Sequence, residues 1–397
     1  MTGAAPVAER PRITPERHAA RLDGLRERLR GAGADALLVG PGAELLYLAG
    51  YEAMPLERLT LLVVPADGEA VLIVPRLERE PAEGSPAARA GIAEVWSWEE
   101  TEDPYRIVAT ALETARRSGR GRDGPRRLLL GDRLWATFVL RLREAFPGAQ
   151  LGLASETLRA LRMRKDAEEI ALLRAAARAA DHAVIALVTG RLVGRTEQEV
   201  AREVRARLVA EGHDGAEHAQ IVGSGPNSAS PHHTASERVI AAGEPVVFDI
   251  GGTLGGYTSD ITRTIWVAAS DGRAPAAEFA QIYDAVRRAH AAALAAVRPG
   301  VTCEAVDGAA RDLIAAAGHG PRFLHRTGHG IGLEVHEDPY IVAGNGEPLD
   351  VGMAFSIEPG IYLEGRYGAR IEDIVVCTAD GVDVLNEAPR DLLVVSG

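Results

Sequence analysis

Two aspartates lie in a segment whose other residues are mainly apolar or glycine. Asp249 lies inside one run of β-branched and aromatic residues, and Asp260 immediately precedes a second run. Glycines between the runs predict a β-hairpin over residues 246–265, with both carboxylates on neighbouring strands and on one face. Carboxylates so close in an apolar sheet repel each other unless they are protonated or bound to a cation. Either aspartate alone would be interpreted as a turn former at a strand end.

Further groups with the same chemistry follow downstream. His329 lies in a glycine-rich stretch, Glu358 ends an apolar run at a Pro-Gly turn, and Glu372 begins another apolar run. Together with Asp249 and Asp260 they can share a buried site if divalent ions offset their charge. Because carboxylates outnumber imidazole and can bridge, we expect a pair of ions chosen from Mn²⁺, Co²⁺, Zn²⁺ and Fe²⁺. A pair of such ions can activate water for hydrolysis.

Two more histidines are candidates for contact with a substrate. His336 follows His329 by seven residues in a glycine-flanked segment, so both rings can face one cavity. His232 lies in a polar loop before the hairpin, where an exposed imidazole can reach a substrate. A lone histidine is more often a hydrogen-bonded core or surface residue. We interpret six histidines in this way: His182, His213, His218, His290, His319 and His325.

The elements that must position these groups belong to the second part of the chain. The first part alternates predicted helices and strands without paired acids, so it is predicted to be an α/β unit for shape, oligomerisation and substrate restriction. Its predicted helices are 16–31, 103–118 and 134–146, and its predicted strands are 35–40, 59–65, 70–75 and 128–130. A charged, glycine-rich loop at 118–127 lies within it. The predicted domains are 1–160 and 161–397.

The second part repeats one order of elements. A long helix begins at Asp166, and another begins at Thr196, where Glu199 completes a capping box. The hairpin follows, and then two more helices, 277–297 and 303–317, precede a second hairpin. Each hairpin carries acids beside a glycine-rich turn. We therefore expect a duplicated α+β unit.

Composition excludes several classes of protein. A chain of 397 residues that is 46% hydrophobic can bury the cores of two domains. Its formal charge of −12 argues against nucleic acid or an anionic membrane as a partner. Two cysteines are too few for a disulfide framework. Because no apolar run is long enough for a signal peptide or a bilayer span, we expect a soluble cytoplasmic protein.

Four motifs, in this order, closely resemble those of the pita-bread metallopeptidases. They are Asp-Ile-Gly with Tyr-Thr-Ser-Asp-Ile-Thr-Arg-Thr (249–264), Gly-His-Gly-Ile-Gly-Leu-Glu-Val-His-Glu (328–337), Ser-Ile-Glu-Pro-Gly-Ile-Tyr (356–362) and Arg-Ile-Glu-Asp (370–373). The chain is most similar to the Xaa-Pro peptidases, prolidase and aminopeptidase P. The resemblance covers residues 160–397 and, more loosely, the front of the chain. It implies an α/β creatinase-like N-terminal domain and an α+β pita-bread catalytic domain with a pseudo-twofold duplicated unit.

The resemblance implies a role for each metal ligand. Asp249 and Asp260 would hold one ion, and His329 and Glu358 would hold the other. Asp260 and Glu372 would bridge the two ions. Manganese is the favoured metal, and cobalt, zinc and iron are the alternatives. The full ligand set distinguishes this chain from creatinase and from binding-only relatives, whereas methionine aminopeptidases lack the large N-terminal domain.

The resemblance also implies the groups that handle the substrate. His232 and His336 would bind the scissile carbonyl or stabilise the tetrahedral intermediate. Glu358 would carry a proton from the nucleophilic water to the leaving nitrogen, and Arg370 would bind a substrate carboxylate or order the site. The implied reaction is hydrolysis of the Xaa-Pro bond, above all in dipeptides, because the proline ring and missing N–H exclude ordinary peptidases.

Other functions stay open at this point. An Xaa-Pro aminopeptidase acting on longer peptides would use the same chemistry and differ in how its pocket closes. A small-metabolite hydrolase or lyase would use the same metal site, while a binding module with a relic site is disfavoured by the full ligand set. By analogy with the family we expect a homodimer, with a tetramer as the alternative.

Overall fold

The structure is a computed structural model that describes residues 10–117, 124–216, 220–269 and 274–396. It divides into two compact units, one of Ile13–Arg162 and one that runs from Met163 onward and includes residues 10–12. Most of the loop predicted at 118–127 lies outside the described residues, as does His218. As an assignment of domains, the division into 1–160 and 161–397 stays our proposal.

The first unit is built on one mixed sheet. Its helices are α1 (Pro15–Gly31), α2 (Ala43–Ala49), α3 (Arg79–Glu83), α4 (Pro86–Arg89), α5 (Pro104–Arg117), α6 (Ala136–Ala145) and α7 (Ser155–Arg162). Its strands are β1 (Ala36–Val39), β2 (Leu61–Pro65), β3 (Ala70–Pro75), β4 (Ala93–Trp98), β5 (Arg127–Leu130) and β6 (Gln150–Leu153). The strand order is β4-β3-β2-β1-β5-β6. β2 runs antiparallel to β1 and β3, and the other neighbouring pairs are parallel.

The predicted helices and strands of this unit are confirmed, with small shifts at their ends. The prediction missed β4, β6 and several short helices. β4 and β6 are the two edge strands, and each is only partly buried. Their sequences therefore lack the continuous apolar run that marks the central strands β1, β2 and β3, which are buried throughout.

The second unit contains two larger sheets and two helix pairs. Its helices are α8 (Ala167–Val188), α9 (Glu197–Ala210), α10 (Ala277–Ala296) and α11 (Cys303–Ala316). Its strands are β7 (Ile221–Ser224), β8 (Glu244–Ile250), β9 (Thr253–Leu254), β10 (Tyr257–Thr258), β11 (Ile261–Ala268), β12 (Gly328–Gly330), β13 (Glu337–Ile341), β14 (Ala354–Ile357), β15 (Gly360–Leu363), β16 (Tyr367–Arg370), β17 (Asp373–Thr378), β18 (Gly381–Val384) and β19 (Leu393–Ser396). The two sheets have the orders β19-β11-β8-β7 and β13-β12-β14-β17-β18.

Each helix pair shares a core with one sheet. α8 and α9 pack with the first sheet around buried residues such as Val184 and Phe248. α10 and α11 pack with the second sheet around residues such as Phe279 and Phe355. The expected repeat of helix, helix and sheet is therefore present. None of the described helices is both long and apolar enough to cross a membrane.

The helix starts follow from local sequence. The Asp166 side chain accepts from the first turn of α8, and Glu169 completes a capping box that was not predicted. At α9, the predicted capping box of Thr196 and Glu199 is confirmed. Thr302 caps α11, where its side chain accepts from the Ala305 N–H. These caps fix where the helices that support the site begin.

The central hairpin differs in detail from the expectation. β8 and β11 are antiparallel, with Thr262 opposite Asp249. The glycine-rich segment between them forms a second small hairpin, β9–β10, instead of one tight turn. Gly251 is required there, because a Cβ on it would lie 2.1 Å from the Ser259 carbonyl oxygen. Since Asp260 lies two residues before Thr262, both aspartates face one side of the sheet.

Candidate metal centre

All the residues selected from the sequence line one cavity of about 520 Å³ in the second unit. The cavity is lined by Ile221, Pro231, His232, Asp249, Gly251, Ser259, Asp260, His325, Arg326, His329, Val335, His336, Glu358, Arg370 and Glu372. The structure thus brings together the expected ligands and the expected substrate-contacting side chains. What each residue does there stays a prediction.

The two sheets supply different parts of the candidate site. β8 and the residue before β11 carry the two aspartates. In the other sheet, His329 lies within β12, Glu358 directly follows the neighbouring strand β14, and Glu372 directly precedes the next strand, β17. A backbone hydrogen bond from Glu372 N–H to the Thr262 carbonyl, 3.0 Å long, joins the sheets at this place. The cavity therefore lies where the two repeated halves meet.

The donor atoms are close enough to share ions. Oxygen and nitrogen atoms of Asp260, His329 and Glu372 all lie within 4.8 Å of one another. His329 Nε2 lies 3.4 Å from Glu358 Oε1 and 3.8 Å from Asp260 Oδ2. Ligands at about 2.0–2.2 Å from a common ion have comparable separations from each other.

The raised pKa values of these carboxyl groups are those expected of a site that binds a cation. Burial, followed by the charges of Asp249 and Glu358, raises the pKa of Asp260 well above its usual value. Burial likewise raises the pKa of Glu358 to about 8 and that of Glu372 well above its ordinary range. Burial and mutual repulsion therefore disfavour the charged forms of these carboxyl groups. A bound divalent ion would stabilise their charged forms.

An unsatisfied oxygen of Glu372 and the orientation of the His329 ring support the same fit. Glu372 Oε2 accepts from Thr262 Oγ1 at 2.8 Å, but its buried Oε1 has no hydrogen-bond partner among the described residues. The Nδ1 of His329 lies 3.1 Å from the Gly330 carbonyl, which can only accept, so Nδ1 carries the hydrogen. The Nε2 lone pair of His329 is then directed at the acids. A carboxylate oxygen without a partner among the described residues and an imidazole lone pair directed at neighbouring acids fit a metal ion.

The guanidinium of Arg370 is held by hydrogen bonds to other side chains. Its guanidinium donates to Asp249 Oδ2 at 2.5 Å and to Tyr362 Oη at 2.7 Å, and its Nε donates to Thr262 Oγ1 at 3.0 Å. The side chain is almost fully buried. Of the two roles expected for Arg370, these contacts favour ordering the site over binding a substrate carboxylate.

Some cavity residues were missed from the sequence. His325 was left outside the site, yet it lies in the cavity wall and accepts on Nε2 from the Tyr362 hydroxyl at 2.7 Å. Burial, followed by the charge of Arg370, lowers the pKa of His325 to about 3. Arg326, also unselected, packs over the Tyr340 ring at 4.4 Å from its centroid. The only sequence signal was their position directly before the motif at 328–337.

The family follows from two matches that together span most of the chain. Residues 171–379 match the model of metallopeptidase family M24, and residues 21–164 match the creatinase/prolidase N-terminal domain. The chain belongs to metallopeptidase family M24. The expected fold, a creatinase-like domain followed by a pita-bread catalytic domain, is confirmed, as is the resemblance on which it rested.

Relatives of this M24 enzyme carry peptidase names. It is 46% identical over 385 residues to the "Probable dipeptidase PepE" of Mycobacterium bovis, covering 97% of this chain and 98% of the relative. It is 34% identical to the Xaa-Pro dipeptidase of Lactobacillus helveticus, covering 94% and 98%. The crystal structure of dipeptidase PepE from Mycobacterium ulcerans superposes with a TM-score of 0.88 at 45% identity, covering 97% and 100%. The chain is a metallopeptidase of a family that uses divalent metals.

Proposed function

We propose that this chain hydrolyses Xaa-Pro dipeptides with two divalent metal ions, manganese being the favoured metal. The observation that carries the proposal is the buried acid cluster, in which a Glu372 oxygen has no partner among the described residues. The donor set is Asp249, Asp260, His329, Glu358 and Glu372. The names of the relatives, dipeptidase and Xaa-Pro dipeptidase, support the substrate class.

The family resemblance suggests which residues would hold each ion. Asp249 and Asp260 would hold one ion, His329 and Glu358 the other, and Asp260 and Glu372 would bridge them. When bound, the ions supply Lewis acidity, which lowers the pKa of water and polarises the scissile carbonyl. Arg370 keeps Asp249 in position through its 2.5 Å contact, so that this carboxylate is presented in one orientation.

Two imidazoles stabilise the developing negative charge on the carbonyl oxygen. The ring of His336 lies 4.2 Å from that of His329, between centroids, and His232 lines the same cavity. Partial burial, followed by the charge of Arg326, lowers the pKa of His336, so this ring is neutral near pH 7. A neutral imidazole donates one hydrogen bond to an oxyanion.

Glu358 moves the proton. Its Oε1 lies 3.4 Å from His329 Nε2, and its Oε2 lies 4.0 Å from His325 Nδ1. The Glu358 carboxylate receives the proton of the attacking water and passes it to the proline nitrogen. This transfer is needed because an amide nitrogen leaves the tetrahedral intermediate only when it is protonated, after which proline departs with a free amine.

Arg326 provides the preference for dipeptides. Arg370, the other arginine of the cavity wall, already donates to Asp249. Arg326 makes a face contact with Tyr340, and among the described residues it contacts no carboxylate closely enough for an ion pair. Its guanidinium can therefore bind the free carboxylate of the second residue of a dipeptide.

The test is proline release from Ala-Pro by purified protein, before and after chelation and after Mn²⁺, Co²⁺ or Zn²⁺ is restored. Metal-dependent release that is faster than cleavage of a longer Xaa-Pro peptide supports the proposal. Faster cleavage of the longer peptide would favour an Xaa-Pro aminopeptidase instead. Inertness toward both substrates with metal bound would favour a small-metabolite hydrolase or lyase.

We further propose a homodimer that acts in the cytoplasm. The unit Ile13–Arg162 contains no candidate ligand of the metal centre, which leaves it free to serve in assembly. Sedimentation equilibrium would give the mass, with a tetramer as the alternative outcome. Fractionation of the producing cells would give the location.

A further inference from the structure

Glu197 is a buried carboxylate to which the metal centre assigns no role. It is the first residue of α9, and none of its surface is exposed. A fully buried carboxylate is unfavourable unless hydrogen bonds satisfy its oxygens. Among the described residues, the hydrogen bonds that the Glu197 carboxylate accepts come from one segment, 224–236, which contains the cavity residue His232.

Both ends of this segment are bonded to the one carboxylate. At the first end, Ser224 donates to Oε1 from its backbone N–H at 2.8 Å and from its hydroxyl at 2.7 Å. At the second end, Ser236 donates to Oε2 from its N–H at 3.0 Å and from its hydroxyl at 2.7 Å. Glu197 therefore closes the segment into a loop with fixed ends.

Two more donors come from inside the loop. Asn227 Nδ2 lies 3.0 Å from Oε1 and 3.1 Å from Oε2, and His233 Nε2 lies 2.7 Å from Oε2. His233 is the immediate neighbour of His232. Its bond to Glu197 holds one of the two adjacent imidazoles against α9, while the other lines the cavity.

We infer that Glu197 is a positioning residue, which holds the loop 224–236 so that His232 is presented to the scissile carbonyl. The inference rests on the proposed role of His232. Burial opposes the charge on Glu197, but the bonds from Ser236, His233 and Ser224 outweigh it, so its pKa falls to about 2 and it is ionised at neutral pH. An ionised carboxylate accepts from all of these donors at once, which an amide cannot do.

The first test is Glu197→Gln, measured by hydrogen exchange with mass spectrometry and by steady-state kinetics on Ala-Pro. Exchange should rise in peptides covering 224–236 and stay unchanged in α8 and α10. We expect kcat to fall about 10- to 100-fold, with KM changed less than about twofold, because His232 is displaced by a fraction of an ångström. Bound metal should be unchanged. Ser236→Ala, a milder variant, should produce a smaller effect in the same direction.

The matched control is Glu203→Gln. Glu203 lies on the same helix but pairs with Arg195 and Arg207 instead of the loop. Its substitution should leave loop exchange and kcat unchanged. Equal effects from both variants would mean that loss of any acid on α9 disturbs the protein, and would overturn the inference.

The decisive test is a double-mutant cycle with His232→Ala. If Glu197 acts through His232, then Glu197→Gln should lower kcat less than about twofold in the His232→Ala background. Losses that multiply in the double variant, or unchanged loop exchange in the single variant, would overturn the inference. Failure of the wild-type protein to cleave Ala-Pro would count against the proposed function alone, because the exchange measurement still decides whether Glu197 holds the loop.

Discussion

At the scale of single residues, the candidate centre contains buried acids whose charged forms a bound cation would stabilise. Asp260 and Glu372 are both nearly inaccessible to solvent, and burial raises the pKa of each. A raised pKa means that each of these carboxyl groups holds its proton more tightly than an exposed one. A metal ion must displace those protons, so we expect metal affinity to rise with pH.

Glu372→Gln should remove bound metal. The amide keeps the shape of the side chain and can retain the bond from Thr262, but it does not supply the negatively charged Oε1 that has no other partner among the described residues. We expect at most half of the wild-type metal content by elemental analysis, and activity lower by about 1,000-fold or more. Glu364→Gln, at an exposed position, is the control. Full metal content in Glu372→Gln would contradict its assignment as a ligand.

Arg326→Gln should weaken the binding of dipeptides without changing the chemical step. Loss of a charge-assisted bond to the substrate carboxylate should raise KM for Ala-Pro about tenfold and change kcat less than about twofold. The C-terminal amide of Ala-Pro should be cleaved equally well by both proteins. Arg322→Gln serves as the control, since Arg322 is exposed and lies outside the cavity wall. An unchanged KM for Ala-Pro would argue against a carboxylate site at Arg326.

The choice of a control among the histidines also depends on the structure. His213, left out of the site on sequence grounds, is buried and lies 2.8 Å from the hydroxyl of Ser259, which lines the cavity beside Asp260. His213→Ala would therefore disturb the centre. His182, which is exposed and pairs with Glu211, is the better neutral position.

At the scale of elements, the segment that carries His336 is held by a buried ion pair. Lys165, the only lysine of the chain, lies 3.3 Å from Glu337 Oε2, and the two side chains are 1% and 6% exposed. Gly332 leaves room for this pair, because a Cβ there would lie 2.8 Å from Glu337 and 3.0 Å from Lys165. The pair thus joins the residues before α8 to the residue that follows His336.

Lys165→Met should lower the free energy of unfolding by about 3 kcal/mol, because it removes the ammonium group that lies 3.3 Å from the buried Glu337 carboxylate. Urea unfolding at pH 7 measures the change. The double variant with Glu337→Leu should regain more than half of the loss, since it also removes the buried carboxylate that Lys165 neutralises. If the losses of the two single variants simply added in the double variant, the ion pair would not be the cause.

At the scale of the whole molecule, all the candidate ligands belong to the unit that begins at Met163. Metal removal should therefore act on one unit, while Ile13–Arg162 provides an internal reference. Bound cations would stabilise the folded protein. Without them, repulsion among the buried acids destabilises the folded state.

Chelation should lower the melting temperature by about 10 °C at pH 8, with increased hydrogen exchange confined to the second unit. The metal-free protein should also lose stability as pH rises. The pKa of Glu358 is about 8 in the folded protein, above its ordinary value, so its contribution is fully present below pH 4.5 and is lost as pH rises through 8. Unfolding of chelated protein at pH 5 and pH 8 tests this sign. A metal-free protein that is more stable at pH 8 would contradict it.

Much of the centre was predictable because its signals are local. An acid inside an apolar run, such as Asp249, is expected to be buried, and a buried acid needs a partner wherever the strand is placed. The strand period put Asp249 and Asp260 on one face, and the Thr196 box marked the start of α9. The family motifs then supplied the remaining residues.

The sequence by itself determined which residue types are available and which face of a strand or helix they occupy, since both depend on near neighbours along the chain. Only the tertiary structure decided which groups are satisfied from a distance. It bonds Arg370 to Asp249, and it bonds His233, 36 positions away, to Glu197 while leaving His232 to the cavity. These pairings depend on the packing of whole sheets and helices, because burial makes each unpaired charge too unfavourable to persist.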